Sequence, residues 1–212
     1  MKGVYFDNLH SYRDFILILS GKEIGAPSVK ETRLDIPGAD GFLDLTDFFG
    51  EPKYEDVKHK FEFTSIVPQS TFQTQYSTIK NAIHGKRMRI LLDDDPLFYW
   101  LGRCFVSGFK NEKGIGTVSV ECVCEPYKYK VNKTVVTQAV SGTMSITLTN
   151  GRKRAVPTIT TTGAMTIAFG GGSWTNGAGT YIIPELELTH GENVVTVTGN
   201  GNITFEWQEG DM

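Results

Sequence analysis

The sequence predicts an α+β domain at the N terminus followed by an all-β domain. In the first part of the chain, one apolar face recurs at helical spacing between runs that alternate in the manner of strands. In the second part, apolar residues alternate with threonine between Gly/Asn turns, and no run has a helical period. The composition also changes, because residues 1–133 carry 18 basic and 18 acidic side chains, whereas residues 134–212 carry 3 and 6. We place the boundary near residue 130, giving domains 1–130 and 131–212.

The overall composition is that of a chain that buries a core. The 212 residues are 40% hydrophobic and carry a net charge of only −3, which disfavours global disorder. No window approaches the roughly 18–20 uninterrupted apolar residues of a membrane span, so we expect no membrane association. The near-neutral balance of charge argues against a domain that wraps DNA through phosphate contacts.

The first domain is predicted to contain one helix among strands. Its helical face is formed by Phe72, Tyr76, Ile79 and Ile83, and Gly85 follows as a stop signal. Strands are predicted at residues 61–64, 88–92, 99–109 and 118–124, with turns at 93–96 and 111–114. Strands on both sides of a single helix indicate an α+β domain rather than a parallel βαβ sheet.

The second domain is predicted to be a β-sandwich or jelly roll. Alternating segments lie at residues 143–149, 195–198 and 203–207. Turn signals lie at 150–151, 170–172, 176–177, 190–191 and 199–202. Trp207 alternates in phase with Ile203 and Phe205, so we expect it in the core.

Candidate metal sites have simpler explanations. Cys122 and Cys124 lie on one face of a predicted strand, and with Cys104 they are expected to be small core residues. The acidic run at 93–95 is a possible ligand set for a divalent cation, but Asp and Pro also favour turns. We therefore expect no metal site.

Catalytic motifs are equally scarce. Asp40, Asp44, Asp47 and Glu51 offer carboxylates, but their spacing singles out no acid–base pair. The sequence contains no nucleophile elbow, Walker-type loop or His-Glu-x-x-His helix. We expect no catalytic residue and no cofactor, and an enzyme, if any, would be a hydrolase.

Trp174 keeps a carbohydrate-binding alternative open. It follows the glycine-rich run 170–172, which we interpret as a loop, and an exposed ring there is suited to contact a sugar. A carbohydrate-binding adaptor module is therefore the second function to weigh.

One segment is more specific than the rest of the chain. Residues 36–46 read Ile-Pro-Gly-Ala-Asp-Gly-Phe-Leu-Asp-Leu-Thr, followed by Phe48-Phe49-Gly50 and Tyr54. This segment resembles the N-terminal motif of the distal tail proteins (Dit) of siphophages and related prophages. The order of elements over the first 130 residues is also similar. Ala39 stands where the family usually has a basic residue, and Lys58 matches a later basic position only loosely.

The resemblance implies a structural protein of the virion tail tip, made in the cytoplasm of the bacterial host. It implies a tail-tube-like first domain, a β-sandwich or barrel flanked by one helix, and a galectin-like sandwich as the second domain. It also implies a homo-hexameric ring whose channel passes DNA without tight binding. The expected partners are the tail tube protein, the tail-associated lysin or tip protein, and baseplate proteins.

The motif segment is also where we expect contacts between subunits. It combines aromatic residues with turn residues and has poor core periodicity, so it is suited to reach across and pack on a neighbour. The predicted contact residues are Phe42, Leu43, Leu45, Phe48, Phe49 and Tyr54. The alternative is that these residues belong to the core of their own subunit.

Overall fold

A computed structural model describes residues 2–48, 50–112 and 114–212 of the chain. Phe49, one of the predicted contact residues, lies outside the described residues. The chain forms two compact units, Met1–Pro126 and Tyr127–Met212. That these units are independent domains stays a prediction.

The first unit is built mainly from antiparallel strands. They are β1 (Val4–Phe6), β2 (Leu9–His10), β3 (Leu17–Ile24), β4 (Arg33–Asp35), β5 (Phe42–Asp44), β6 (Val57–Ser65), β7 (Arg87–Leu92), β8 (Asp95–Glu112) and β9 (Ile115–Lys130), of which β9 continues into the second unit. The main sheet has the order β2-β1-β7-β8-β9-β6-β3, whereas β4 and β5 pair only with each other.

The predicted helix and its end are confirmed. A 3-10 turn at Gln69–Thr71 leads into α1 (Phe72–Ile83), which buries Phe72, Ile79 and Ile83. Gly85 has φ +77°, a conformation that glycine adopts without steric cost, and it ends the helical path. None of the described helices has the length and apolar character needed to cross a membrane.

The core of the first unit lies on one face of the main sheet. Alternate residues of β6 are buried, including Phe61 and Phe63, and the cysteines are buried as predicted. The Cys122 thiol donates to Cys104 Sγ at 3.1 Å. This hydrogen bond and burial raise the pKa of Cys122, and burial raises the pKa of Cys124 to about 12. Both thiols are therefore neutral core groups.

The acidic run at 93–95 connects strands. The predicted turn is shorter than expected because β8 already begins at Asp95. Asp93 accepts a hydrogen bond from the Gly3 amide at 2.7 Å, and its carboxylate lies 3.0 Å from His10 Nε2. Asp94 pairs with Lys22 at 2.5 Å.

The second unit is all-β, as predicted. Its strands are β10 (Thr134–Asn150), β11 (Thr158–Thr161), β12 (Met165–Phe169), β13 (Gly172–Asn176), β14 (Gly179–Ile182), β15 (Gly191–Trp207) and β16 (Gly210–Asp211). β15 pairs with β10 over its full length, and its other edge pairs with β12 and β11. β13 and β14 lie outside β12 and β11, and β16 pairs with the end of β9. The galectin-like form of this unit stays a prediction.

The predicted turn at 199–202 is wrong, because these residues lie inside the 17-residue strand β15. A Cβ on Gly201 would lie 2.6 Å from Thr162 Oγ1, and the residue has φ +129°. The glycine thus permits close approach of a neighbouring segment within a sheet, which a sequence pattern does not distinguish from a hairpin turn.

Candidate assembly interface

A hairpin arm projects from the main sheet of the first unit. We define the arm as residues 28–55, which include β4 and β5 and lie between β3 and β6. At its root Val29 and Tyr54 form an antiparallel bridge, and the Lys30 amide donates to the Lys53 carbonyl at 2.7 Å. The backbone pairing of the two limbs therefore holds the arm as an ordered hairpin.

The limbs pair again near the tip, in a register that differs from that of the root because residues 46–52 of the second limb are spanned by Glu31 alone on the first. Leu34 lies opposite Leu43, and Asp35 lies opposite Phe42. Residues 36–41 connect the strands, with Gly38 and Gly41 at φ +85° and +78°. These left-handed positions explain the Pro-Gly and Asp-Gly pairs of the motif, since turns of this kind favour glycine.

The arm exposes apolar side chains on both of its faces. The exposed members are Val29, Leu34, Ile36, Phe42, Leu43 and Phe48. Phe42 is 65% exposed and Phe48 is 71% exposed, and none of the described arm residues belongs to the buried core of the unit. An isolated two-stranded hairpin is marginally stable in water, and a contiguous exposed apolar surface marks an interaction site. The arm therefore has the properties of a segment that is covered by another surface.

One carboxylate of the arm, that of Asp44, stabilises the turn that follows β5. Asp44 accepts a hydrogen bond from the Thr46 amide at 2.9 Å. The hydrogen bonds from Thr46, together with the charge of Arg33, hold the pKa of Asp44 below its usual range. Asp44 is thus an ionised turn residue, and Arg33 also pairs with Glu31 at 2.9 Å.

The structure separates the predicted contact residues into two groups. Phe42, Leu43 and Phe48 are exposed, so the alternative that they form the core of their own subunit is wrong. Leu45 and Tyr54 are half-buried, Tyr54 in the bridge at the root of the arm. The contact with a neighbouring subunit stays a prediction for all of them.

The sequence pattern did not predict three of the exposed apolar residues of the arm, Val29, Leu34 and Ile36. Leu34 lies on β4 opposite the predicted Leu43, and Ile36 directly follows β4 at the start of the tip. The sequence contained a signal for Leu34 and Ile36, because an apolar segment, a Pro-Gly turn and a second apolar segment in succession are typical of a hairpin.

Trp174 is a correction to the predicted loop. It lies on β13, opposite Ile167 of β12, and only Gly170 and Gly171 form the turn. The ring is half-buried and packs against the core of the second unit, and it lies 2.5 Å from where a Cβ on Gly172 would be. The ring covers a glycine and core side chains, and a glycan contact through Trp174 stays a prediction.

A metal centre has no support in the described part of the chain, where no group of three or more His, Cys, Asp or Glu side chains converges in a way that would hold an ion.

His59 is a buried titratable residue on β6, between Ile24 of β3 and Cys122 of β9. Its Nδ1 accepts a hydrogen bond from the Gly25 amide at 3.2 Å, and burial lowers the pKa of His59 to about 4. This residue is therefore neutral and structural.

Comparisons with known proteins identify the architecture. No family model and no curated protein sequence matches the chain. Among solved structures, the chain is similar to Dit (gp 19.1) of phage SPP1, which is described as a hub adsorption apparatus of phages that infect Gram-positive bacteria. The two chains match over 100% of each, with a TM-score of 0.71 and 13% sequence identity. The resemblance in the sequence motif is thus confirmed at the level of structure, and the chain has the fold of the SPP1 Dit protein.

Proposed function

We propose that this protein is a structural component of a phage tail tip and is carried on the virion. The observation that supports it most is the match to the SPP1 hub protein over the full length of both chains. A fold alone does not imply a function, so the arm supplies the second argument. Its position coincides with the motif that resembles distal tail proteins, and its exposed apolar side chains are suited to a subunit contact.

The proposed assembly is a six-membered ring formed by head-to-tail contacts. In such a ring, each subunit donates its arm to one neighbour and receives an arm from the other. A heterologous contact that closes after a full rotation leaves no copy of the interface unfilled. The ring joins the tail tube to the tip and baseplate proteins and surrounds the path of the DNA. This role requires binding surfaces and a channel, and it requires no catalytic group.

The oligomeric state tests the proposal. Six copies of the 23.5 kDa chain have a mass of about 141 kDa, and each contact is expected to bury about 1,000 Å² or more. Light scattering over a concentration series, with negative-stain images of the largest species, is expected to show a ring. A monomer at every concentration, together with absence of the protein from purified tails, would contradict the proposal.

A further inference from the structure

A long strand edge in the second unit has no partner strand. β10 pairs with β15 through one of its edges over all 17 residues. None of the described strands pairs with its other edge, and no described loop forms a backbone hydrogen bond to it. Three successive residues, Thr137, Gln138 and Ala139, are exposed, as expected for a strand with one open side. The backbone N–H and C=O groups along this edge are therefore available to a further strand.

This edge has none of the features that protect exposed strands in other proteins. Natural edge strands avoid pairing through charged side chains, through proline or by being very short. β10 contains no charged residue and no proline, and the nearest charges along the chain are those of Lys133 and Arg152. The other two edge strands of this sheet, β13 and β14, are only five and four residues long. The second unit thus shortens its other edges and leaves β10 unprotected.

Residues 143–149 form the most regular part of this edge. Gly142 has φ +81° and lies opposite Gly199 of β15, so it interrupts the regular strand conformation just before this segment. The exposed face of the segment carries only hydroxyl side chains, those of Thr143, Ser145, Thr147 and Thr149. The opposite face carries only apolar side chains that belong to the core, those of Met144, Ile146 and Leu148. Each face of the segment therefore has a single chemical character.

We propose that β10 pairs antiparallel with β10 of a second copy of this chain, about a two-fold axis at Ile146. This axis lies at the centre of the regular segment, so all of its residues are paired. Ser145 of one copy then lies opposite Thr147 of the other, and Met144 lies opposite Leu148. Hydroxyl side chains meet hydroxyl side chains, and apolar side chains meet apolar ones. A second copy is the occupant because an edge without charge pairs with itself without placing like charges opposite each other.

The same chemistry already joins strands within the sheet. The hydroxyls of Thr143 on β10 and Thr198 on β15 are 2.9 Å apart, and those of Thr166 on β12 and Thr175 on β13 are 2.8 Å apart. Thr166 also lies opposite Thr198, so these four residues form one row across four strands. Cross-strand hydroxyl pairs of this kind stabilise sheets. A second copy extends the hydroxyl face across the two-fold axis and satisfies the open backbone groups of both edges.

The contact is isologous, so it closes after two copies and leaves neither β10 edge open. Neighbours in a six-membered ring are related by one sixth of a turn rather than by a two-fold axis, so they do not form this pair. The paired copies therefore belong to different rings or, where no ring forms, make a dimer of about 47 kDa. The inference goes beyond the proposed ring and does not depend on it.

Charge placement in the full-length chain tests the pairing. Every chain in the series carries Phe42→Asp and Phe48→Asp, so that ring formation through the arm does not obscure the dimer. With β10 unchanged, analytical ultracentrifugation over a concentration series is expected to show a monomer–dimer equilibrium. Ser145→Lys with Thr147→Lys is expected to raise the dissociation constant at least tenfold, because like charges then face each other across the axis. Ser145→Lys with Thr147→Glu places opposite charges there and is expected to dimerise within a few-fold of the unchanged edge.

Asn200→Lys with Asn202→Lys is the matched control. Both side chains are exposed and lie two positions apart on β15, a central strand, so the added charge is the same but lies away from the free edge. This control is expected to leave the dissociation constant unchanged. Amide hydrogen exchange locates the contact, since amides of residues 143–149 are expected to gain protection as the concentration rises, whereas those of β14 are not. Circular dichroism checks that each variant is folded.

The outcomes separate this contact from the ring. A monomer at every concentration up to about 1 mM with β10 unchanged would overturn the pairing, even if the wild-type chain forms a ring. A dimer that Ser145→Lys with Thr147→Lys leaves intact would place the contact elsewhere and overturn the role of β10. A dimer that is lost in that variant and not recovered with Thr147→Glu would overturn the register about Ile146. A wild-type chain that forms the dimer but no ring would contradict the ring alone.

Discussion

The indole N–H of Trp207 donates a hydrogen bond to Asn150 Oδ1 at 3.1 Å, inside the core of the second unit. Trp207 ends β15 and Asn150 ends β10, at opposite ends of the long strand pair. The amide of Asn150 also donates to the carbonyl of Lys153 at 2.9 Å and to that of Leu188 at 3.3 Å. One buried side chain thus satisfies a ring donor and joins two loop segments to the sheet.

The first prediction concerns this asparagine. Asn150→Ala is expected to lower the free energy of unfolding by about 1–3 kcal/mol, because it leaves the buried Trp207 N–H without an acceptor. Urea denaturation followed by circular dichroism measures the change. Asn200→Ala is the control, since Asn200 is exposed on β15, and it is expected to change the stability by less than about 0.5 kcal/mol. Equal effects of the two substitutions would contradict the role of Asn150.

The second prediction concerns acid stability. His59 has no partner for Nε2 among the described residues, and its ring lies 4.8 Å from that of Trp100. Burial lowers the pKa of His59 to about 4, so the unfolded chain binds a proton more readily than the folded chain. The stability contribution of neutral His59 is therefore complete above pH about 6.5 and is lost as the pH falls toward 4, by up to about 3 kcal/mol.

His59→Gln tests this pH dependence, because glutamine can accept the hydrogen bond from Gly25 but does not titrate. Its unfolding free energy is expected to depend less on pH between 6.5 and 4 than that of the wild type. Identical slopes in denaturation series at several pH values would show that His59 is not the responsible group.

The third prediction concerns the arm. Phe42→Asp and Phe48→Asp together are expected to prevent assembly while changing the stability of the subunit by less than about 0.5 kcal/mol, because both rings are largely exposed. Light scattering and thermal unfolding measure the two effects. Ile182→Asp, at an exposed apolar residue of the second unit, is the control that is expected to assemble normally. Loss of folding in the arm variant would contradict this prediction, because it would show that the exposed rings are needed for the stability of the single subunit.

The fourth prediction compares two glycines. Gly201→Ala is expected to destabilise the chain by about 1–3 kcal/mol, since its backbone has φ +129° and a Cβ meets Thr162 Oγ1 at 2.6 Å. Gly177→Ala has open space around its Cβ and is expected to be neutral or slightly stabilising. Chemical denaturation distinguishes them, and a neutral Gly201→Ala would refute the close approach inside β15.

The fifth prediction concerns DNA. With 18 basic and 18 acidic residues at positions 1–133, the proposed ring can surround DNA without neutralising many phosphates. We expect no measurable binding of a labelled duplex at physiological salt in fluorescence anisotropy. Micromolar affinity that falls steeply with salt would instead indicate a nucleic-acid-binding protein.

The sequence by itself determined the parts of the fold that depend on neighbours along the chain. The spacing of Phe72, Ile79 and Ile83 defines a helical face because 3.6 residues make one turn, and Gly85 ends the helix for a local steric reason. Alternation likewise placed Trp207 and the cysteines in the core. The Pro-Gly and Asp-Gly pairs marked the arm, because left-handed turn residues have few substitutes.

Only the tertiary structure decided which segments are covered and by what. Gly201 lies in a strand rather than a turn because it pairs with Val140 of β10, far away in the sequence. Trp174 is half-buried because β13 pairs with β12 and carries the ring onto the core. The exposure of Phe42 also depends on strand pairing, because β4 and β5 pair only with each other. Burial is a property of contacts distant in sequence, and a local pattern of residue types contains no information about which partner a strand selects.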